Sequence, residues 1–237
     1  MTKPVVAQGA KWYKESTKIT HAAGQINGLN VTNTREALEK SLQKKKVIEM
    51  DFNFTSDGVL VCKHDWGGVG QQTLEVFQQT LVGETLHGIT AEEVIGLLHG
   101  TGTYLVVDAK ANVEQVYTEL VRISTELGYV DVLKHIIPQI YSKSEYKTVN
   151  NIYQFKDWIF TVYRLKPKTI KEYKSIAKFC KKNGIKVVTM PVKYAKAERI
   201  AVLKKYGLLC FVHTVNDKKK WKKLKKLGVY GIYTDSL

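Results

Sequence analysis

Eight short runs of apolar and β-branched residues, separated by longer stretches of helical pattern, constrain this chain more than any other feature. They are KITHAAG around Ile19, VIEMDF at 47–52, YLVVDAK at 104–110, HIIPQIY at 135–141, WIFTVY at 158–163, IKVVTM at 185–190, LLCFVHTV at 208–215 and YGIYTD at 230–235. Such alternation is the mark of repeated βα units with parallel strands. Eight of them predict an α/β fold, a single (β/α)8 TIM barrel occupying residues 1–237 as one domain. The segments between the runs carry helix punctuation. TNTREALEKSLQKK opens on Thr32 or Asn33 as cap, Thr90 and Glu93 have capping-box spacing, and Gly100 and Gly128 end helices. FTSDGVLVCKHDW, with its Ser-Asp-Gly turn, reads as a short hairpin after the second strand.

A barrel of this kind presents its chemistry at the C-terminal ends of its strands, and polar residues gather there. His21 ends the first run, Glu49 and Asp51 the second, and Asp108 and Lys110 the third; His213 and Asp235 lie near the ends of the seventh and eighth. Glu49 and Asp51 are two apart, so in a strand both point to one face while Ile48, Met50 and Phe52 point to the helices. Two carboxylates in one small space repel unless a cation or a shared proton relieves them, and a hard divalent ion with oxygen ligands is an economical solution. Asp108, on the next barrel strand, is the candidate third ligand. His21 and His64 are imidazoles suited to exchange protons near neutral pH, whereas His87, His99 and His135 read as ordinary core or surface histidines.

Taken together, His21 with Gly24, Asn33-Thr34, IEMDFNFTSDGVLVCKHD, LVVDAK, HTVND and GIYTD resemble the glycerophosphodiester phosphodiesterase family. The resemblance implies a phosphoric diester hydrolase of lipid metabolism in which Glu49, Asp51 and Asp108 bind one divalent cation, Mg²⁺ or Ca²⁺. It implies that His21 and His64 act as catalytic acid and base and that Lys110 faces the phosphate, with His213 and Asp235 on the substrate side. It implies attack by a neighbouring glycerol hydroxyl to give a cyclic phosphate, which water then opens. This chain departs from the family pattern at Ala22, where an Arg usually follows the first histidine, at Thr32, where a Glu is usual, and at Asp108, usually Glu. Lys110, Lys63 or a later lysine is left to compensate for the missing Arg. The interval from His64 to Asp108 is short for the family, which predicts an open site. The compact form resembles the barrel of phosphatidylinositol-specific phospholipase C and admits lipid head groups or a glycerol-phosphate polymer as substrate. A noncatalytic barrel that binds a phosphorylated ligand or anionic polymer is the alternative that Ala22 favours.

Composition bears on partners and setting. With 37 Lys and Arg against 22 Asp and Glu, the chain carries a formal charge of +15 and attracts polyanions. No helix-turn-helix, RRM, KH or zinc-finger pattern accompanies that charge, so specific nucleic-acid binding is not expected. NDKKKWKKLKKLG reads as a barrel helix with Trp221, Leu224 and Leu227 inward and its lysines solvated, able to draw the protein weakly to an anionic membrane surface. Cys62, Cys180 and Cys210 are scattered and fit neither a disulfide framework nor a zinc site. The opening MTKPVVAQGAKWYKESTK has no apolar core of a signal peptide, and no stretch is long and apolar enough to span a membrane, so a soluble cytoplasmic protein is expected. The oligomeric state is left open.

Overall fold

A computed structural model describes residues 11–237; the opening residues 1–10, read above for a signal peptide, lie outside them. The strands in chain order are β1 (Lys18–Thr20), β2 (Val47–Phe54), β3 (Leu60–Cys62), β4 (Leu81–Val82), β5 (Leu86–His87), β6 (Tyr104–Ala109), β7 (Ile136–Ile140), β8 (Ile159–Thr161), β9 (Val187–Pro191), β10 (Leu209–His213) and β11 (Gly231–Thr234). Each of the eight runs contains one strand of the closed parallel sheet β1-β2-β6-β7-β8-β9-β10-β11. β1 closes it through both neighbours, pairing Ile19 with Tyr233 on β11 and Thr20 with Ile48 on β2. The fold is the (β/α)8 barrel expected from the alternation. The expected hairpin is present as well: β3 turns back antiparallel on the end of β2, with Phe52 opposite Cys62 and Phe54 opposite Leu60.

The period of two along each strand divides the molecule radially. Outward residues such as Ile48, Met50, Phe52, Leu105, Val107, Phe160, Val188 and Val212 are fully buried against the helices. Inward residues at the N-terminal end of the barrel form a separate apolar cluster of Ile19, Val47, Tyr104, Val106, Ile137, Ile159, Val187, Phe211 and Tyr233. Helix α1 (Trp12–Glu15) seals that end, with the Trp12 ring 5.5 Å from the Phe211 ring. Gly231 makes room for Phe211, because a Cβ there would lie 2.2 Å from its ring. Burying side chains of this size contributes about 1.5–3 kcal/mol each.

The remaining helices are α2 (Arg35–Leu42), α3 (Leu74–Gln79), α4 (Ala91–Leu98), α5 (Val113–Glu126), α6 (Val130–Leu133), α7 (Lys143–Ile152), α8 (Ile170–Lys182), α9 (Ala197–Lys205) and α10 (Lys218–Leu227). The Thr90/Glu93 capping box forms as expected, and Gly100 and Gly128 take the left-handed conformation just beyond α4 and α5. Two expectations need correction. Thr34, not Thr32 or Asn33, is the N-cap of α2, because Asn33 is diverted to the barrel mouth. On α10, Trp221 and Leu224 are buried but Leu227, in the last turn before Gly228, is 38% exposed. The three cysteines are free and buried. Among the described residues no helix is long and apolar enough to cross a membrane.

Candidate active site

Two residues beyond the last apolar inner residue of each of these strands, polar groups are delivered to the opposite end of the barrel. Val47 leads to Glu49 and Asp51, Val106 to Asp108, Ile137 to Gln139, Ile159 to Thr161, Phe211 to His213 and Tyr233 to Asp235. The register sets Asp51 beside Asp108 and Asp108 beside Gln139. Glu49, Asp51 and Asp108 are all buried, and one carboxylate oxygen from each lies within 4.8 Å of the others. Above them opens a cavity of about 350 Å³ lined by His21, Glu49, His64, Asp108, Lys110, Tyr141, Arg164 and His213 among others.

Each carboxylate has a fixed partner. The Ala22 backbone N–H donates to Glu49 Oε2 at 2.8 Å. Asn33 grips Asp51 twice, its Nδ2 donating to Oδ2 at 2.8 Å and its Oδ1 accepting the Asp51 N–H at 3.0 Å. The Tyr141 hydroxyl reaches both oxygens of Asp108, at 2.8 and 2.7 Å. Lys110 Nζ bridges Asp108 Oδ2 at 2.7 Å and Asp51 Oδ1 at 2.9 Å. The backbone that arranges these contacts leaves the usual regions: Ala22, Ala23 and Asn33 all have positive φ, at 47°, 65° and 51°. Non-glycine residues rarely adopt that conformation and cluster at functional sites when they do.

The electrostatics are unbalanced toward negative charge. Burial, followed by the neighbouring Asp51, pushes the Glu49 carboxyl up to about 8. Burial also raises Asp108, although Lys110 opposes it, and the Lys110 ammonium, despite the cost of burial, is driven up by Asp108 and Asp51. One lysine offsets only part of three carboxylates. An all-oxygen cluster with surplus negative charge has the donor chemistry of a hard divalent cation.

The histidines differ in setting. His21 Nδ1 lies 2.7 Å from Asp235 Oδ1; burial works against its charge, but that hydrogen bond and the Glu49 charge prevail and raise it to about 9. Asp235 is held in turn by Asn216 Nδ2 at 2.5 Å, and its carboxyl is lowered by His21 and Asn216 against the cost of burial. Asp235 thus stands behind His21 and is not part of the cavity lining. His64 stands at the mouth, half exposed, with Nδ1 2.6 Å from Asp65. His213 is half-buried and pulled down to about 4, first by desolvation and then by the charges of His21 and Lys110, and its buried Nε2 has no hydrogen-bond partner among the described residues. The structure therefore brings His21, Glu49, Asp51, Asp108 and Lys110 together, with His64 and His213 on the same cavity. His87, His99 and His135 are not in its lining.

The Glycerophosphoryl diester phosphodiesterase family pattern matches residues 136–237. This stretch is of the glycerophosphoryl diester phosphodiesterase family. The match covers β7 to β11, whereas the motifs read in the sequence lie mostly before it, so the two lines of recognition meet on one barrel. Proteins of this family are phosphoric diester hydrolases, the enzyme class expected from the sequence. No curated protein matches the chain. Solved structures share the fold at low identity. A phosphodiesterase from Oleispira antarctica, solved with the product sn-glycerol-3-phosphate, is 18% identical with a TM-score of 0.72 over 94% of this chain and 95% of its own. A glycerophosphodiester phosphodiesterase from Parabacteroides distasonis is 17% identical with a TM-score of 0.70 over 92% of each chain. One from Thermotoga maritima is 18% identical with a TM-score of 0.67 over 92% of this chain and 94% of its own.

Tyr141, Gln139, Asn33 and Arg164 are among the residues of the site that escaped the sequence reading. Tyr141 and Gln139 were within reach of strand parity, since both continue the inward row from Ile137. Asn33 read as a helix cap, and nothing local distinguishes a cap from a carboxylate clamp. Arg164 falls in an irregular turn after β8, where periodicity gives no direction.

Proposed function

We propose that the protein is a divalent-cation-dependent phosphodiesterase acting on a glycerophosphodiester or a related diester, either a lipid head group or a glycerol-phosphate polymer. The observation that carries this reading is the buried triad of Glu49, Asp51 and Asp108 under a cavity that also presents His21 and His64. The triad would hold the ion, Mg²⁺ or Ca²⁺, both of which oxygen ligands suit. A bound cation supplies neutralisation of phosphoryl charge. The protein's own groups do the rest. Asp235 occupies His21 Nδ1, which leaves Nε2 to exchange a proton with a ligand, and His21 raised to about 9 is protonated at neutral pH and set to act as the acid on the leaving oxygen. His64, across the cavity, takes the proton of the attacking hydroxyl, which in a glycerol diester is the neighbouring one and leads to a cyclic phosphate. His213, neutral and with a free Nε2, accepts from or donates to an alcohol of the substrate. Lys110 stays protonated between Asp51 and Asp108 and faces the phosphate.

Phosphorus NMR of glycerophosphocholine and a polyglycerol phosphate with the purified protein tests this reading. Monoester or cyclic phosphate should appear with Mg²⁺ or Ca²⁺ and vanish with EDTA; turnover unaffected by chelator would remove the cation from the proposal. A noncatalytic barrel is favoured by Ala22, whose short side chain puts no cation beside the triad. Binding of phosphorylated ligands without turnover under any cation would establish it. The exposed lysines of α10 support weak attraction to anionic membranes, which vesicle binding that falls as salt rises would confirm. Three unpaired, buried cysteines fit a reducing compartment such as the cytoplasm.

A further inference from the structure

Of the cations lining the cavity, Lys110 is bound to two carboxylates, Asp51 and Asp108, and His21 is paired with Asp235. Arg164 is different. It follows β8 in a tight turn closed by the Lys166 N–H donating to the Val162 carbonyl at 3.0 Å. Its guanidinium carbon sits 3.9 Å from the centre of the Tyr141 ring. The hydroxyl of that same ring touches Asp108, so the guanidinium stands one aromatic ring away from the carboxylate cluster. Its nearest acid, Glu145, is 3.8 Å away, too far for a hydrogen bond, and that carboxylate is already engaged by the Tyr141 backbone N–H. Among the described residues the Arg164 guanidinium makes no hydrogen bond. A planar fork of five donors, fixed by stacking and left without acceptors at the edge of a cavity, is built to take the oxygens of a phosphate.

We infer that Arg164 is the phosphate-binding cation of this site, gripping the non-bridging oxygens of the substrate through a guanidinium that Tyr141 holds in place. The inference rests on the phosphodiesterase reading of the cavity and deepens it. It makes the chain's anion grip come from the turn after β8, on the cavity that Tyr141, Glu49 and Asp108 also line. Stacking limits the motion of the arginine, so little rotamer freedom is lost when the anion arrives. Tyr163, half exposed with its ring 5.8 Å from that of His213, borders the same opening, so a phosphate on Arg164 presents its alcohol toward His213.

The test is calorimetric titration of sn-glycerol 3-phosphate, inorganic phosphate and glycerol into wild type, Arg164→Met, Arg164→Lys and Lys166→Met, with diester turnover measured in parallel. Methionine keeps an apolar stem over Tyr141 and removes the donors, which separates phosphate binding from mere bracing of the ring. Arg164→Met should weaken glycerol 3-phosphate and inorganic phosphate about 10- to 100-fold, the usual loss for hydrogen bonds to a charged group. Its KM for a diester should rise more than its kcat falls. Arg164→Lys should recover part of the affinity, and Lys166→Met, in the same turn, should leave it unchanged. Wild-type affinity in Arg164→Met, or an equal loss in Lys166→Met, would overturn the assignment while leaving the phosphodiesterase reading intact. A wild-type protein that binds neither phosphate ligand and cleaves no diester would overturn both.

Discussion

The two ends of the barrel interior are built by the same strands and obey opposite rules. At the N-terminal end, Trp12, Val106, Ile137, Ile159, Val187 and Phe211 pack without a charge among them. Two residues further along, Glu49, Asp51, Asp108 and Lys110 put four ionisable groups into buried or nearly buried positions. Tyr233 marks the boundary: its ring belongs to the apolar plug and its hydroxyl donates to Gln139 Oε1 at 2.6 Å. The plug releases free energy on burial; the cluster costs free energy and persists because the plug and the outer helix layer over-determine the backbone beneath it. Stability and chemistry are thus separated by one step of the strand repeat.

That separation can be broken from either side. The largest expected effect is on the polar end: Glu49→Gln should abolish measurable diester turnover, yet its thermal midpoint in EDTA should equal or exceed that of wild type, because one of three crowded carboxylates is gone. A clear loss of stability in the variant would show that the cluster holds the fold together. His21→Ala should lower kcat by roughly 10²–10⁴, the range for a general acid or base, with an unaltered urea midpoint as the control. From the other end, Trp12→Ala should cost about 3–5 kcal/mol in urea unfolding, as large-to-small changes in a packed core do, while kcat per folded molecule stays near wild type. Asn33→Ala should reduce cation affinity about 10- to 100-fold, since loss of a group that orients a ligand has that effect; manganese binding followed by electron paramagnetic resonance reads it without turnover.

The smallest effect concerns pH. His21 is raised from 6.5 to about 9 in the folded protein, so its pairing contributes stability that is complete below about 6.5 and is lost as pH rises through about 9. Asp235 is lowered from 3.8, so its share is present above that value and is lost as pH falls through the depressed one. Asp235→Asn should therefore flatten the stability profile between about 6.5 and 9. It should also lower the His21 titration midpoint by about 1–3 units, as removal of an adjacent opposite charge does. Imidazole resonances followed by NMR give the midpoint directly; an unmoved midpoint would mean that Glu49 and Asp51, not Asp235, hold the proton on His21.

Much of this was legible in the residues alone. Strand period and helix caps are local, so eight βα units, the hairpin and the inward pointing of Glu49, Asp51, Asp108 and Lys110 could be read without coordinates. Binary patterning dictates which face of each strand is buried, and barrel closure then follows from counting. Tertiary structure alone decided what each inward group touches. The Asn33 grip on Asp51 spans 18 residues, Tyr141 reaches Asp108 across 33, and His21 meets Asp235 across 214. It also placed Arg164 over Tyr141. Such contacts depend on the orientation of side chains carried by separate strands and loops, and no periodicity within a segment encodes the partner it meets once the barrel closes.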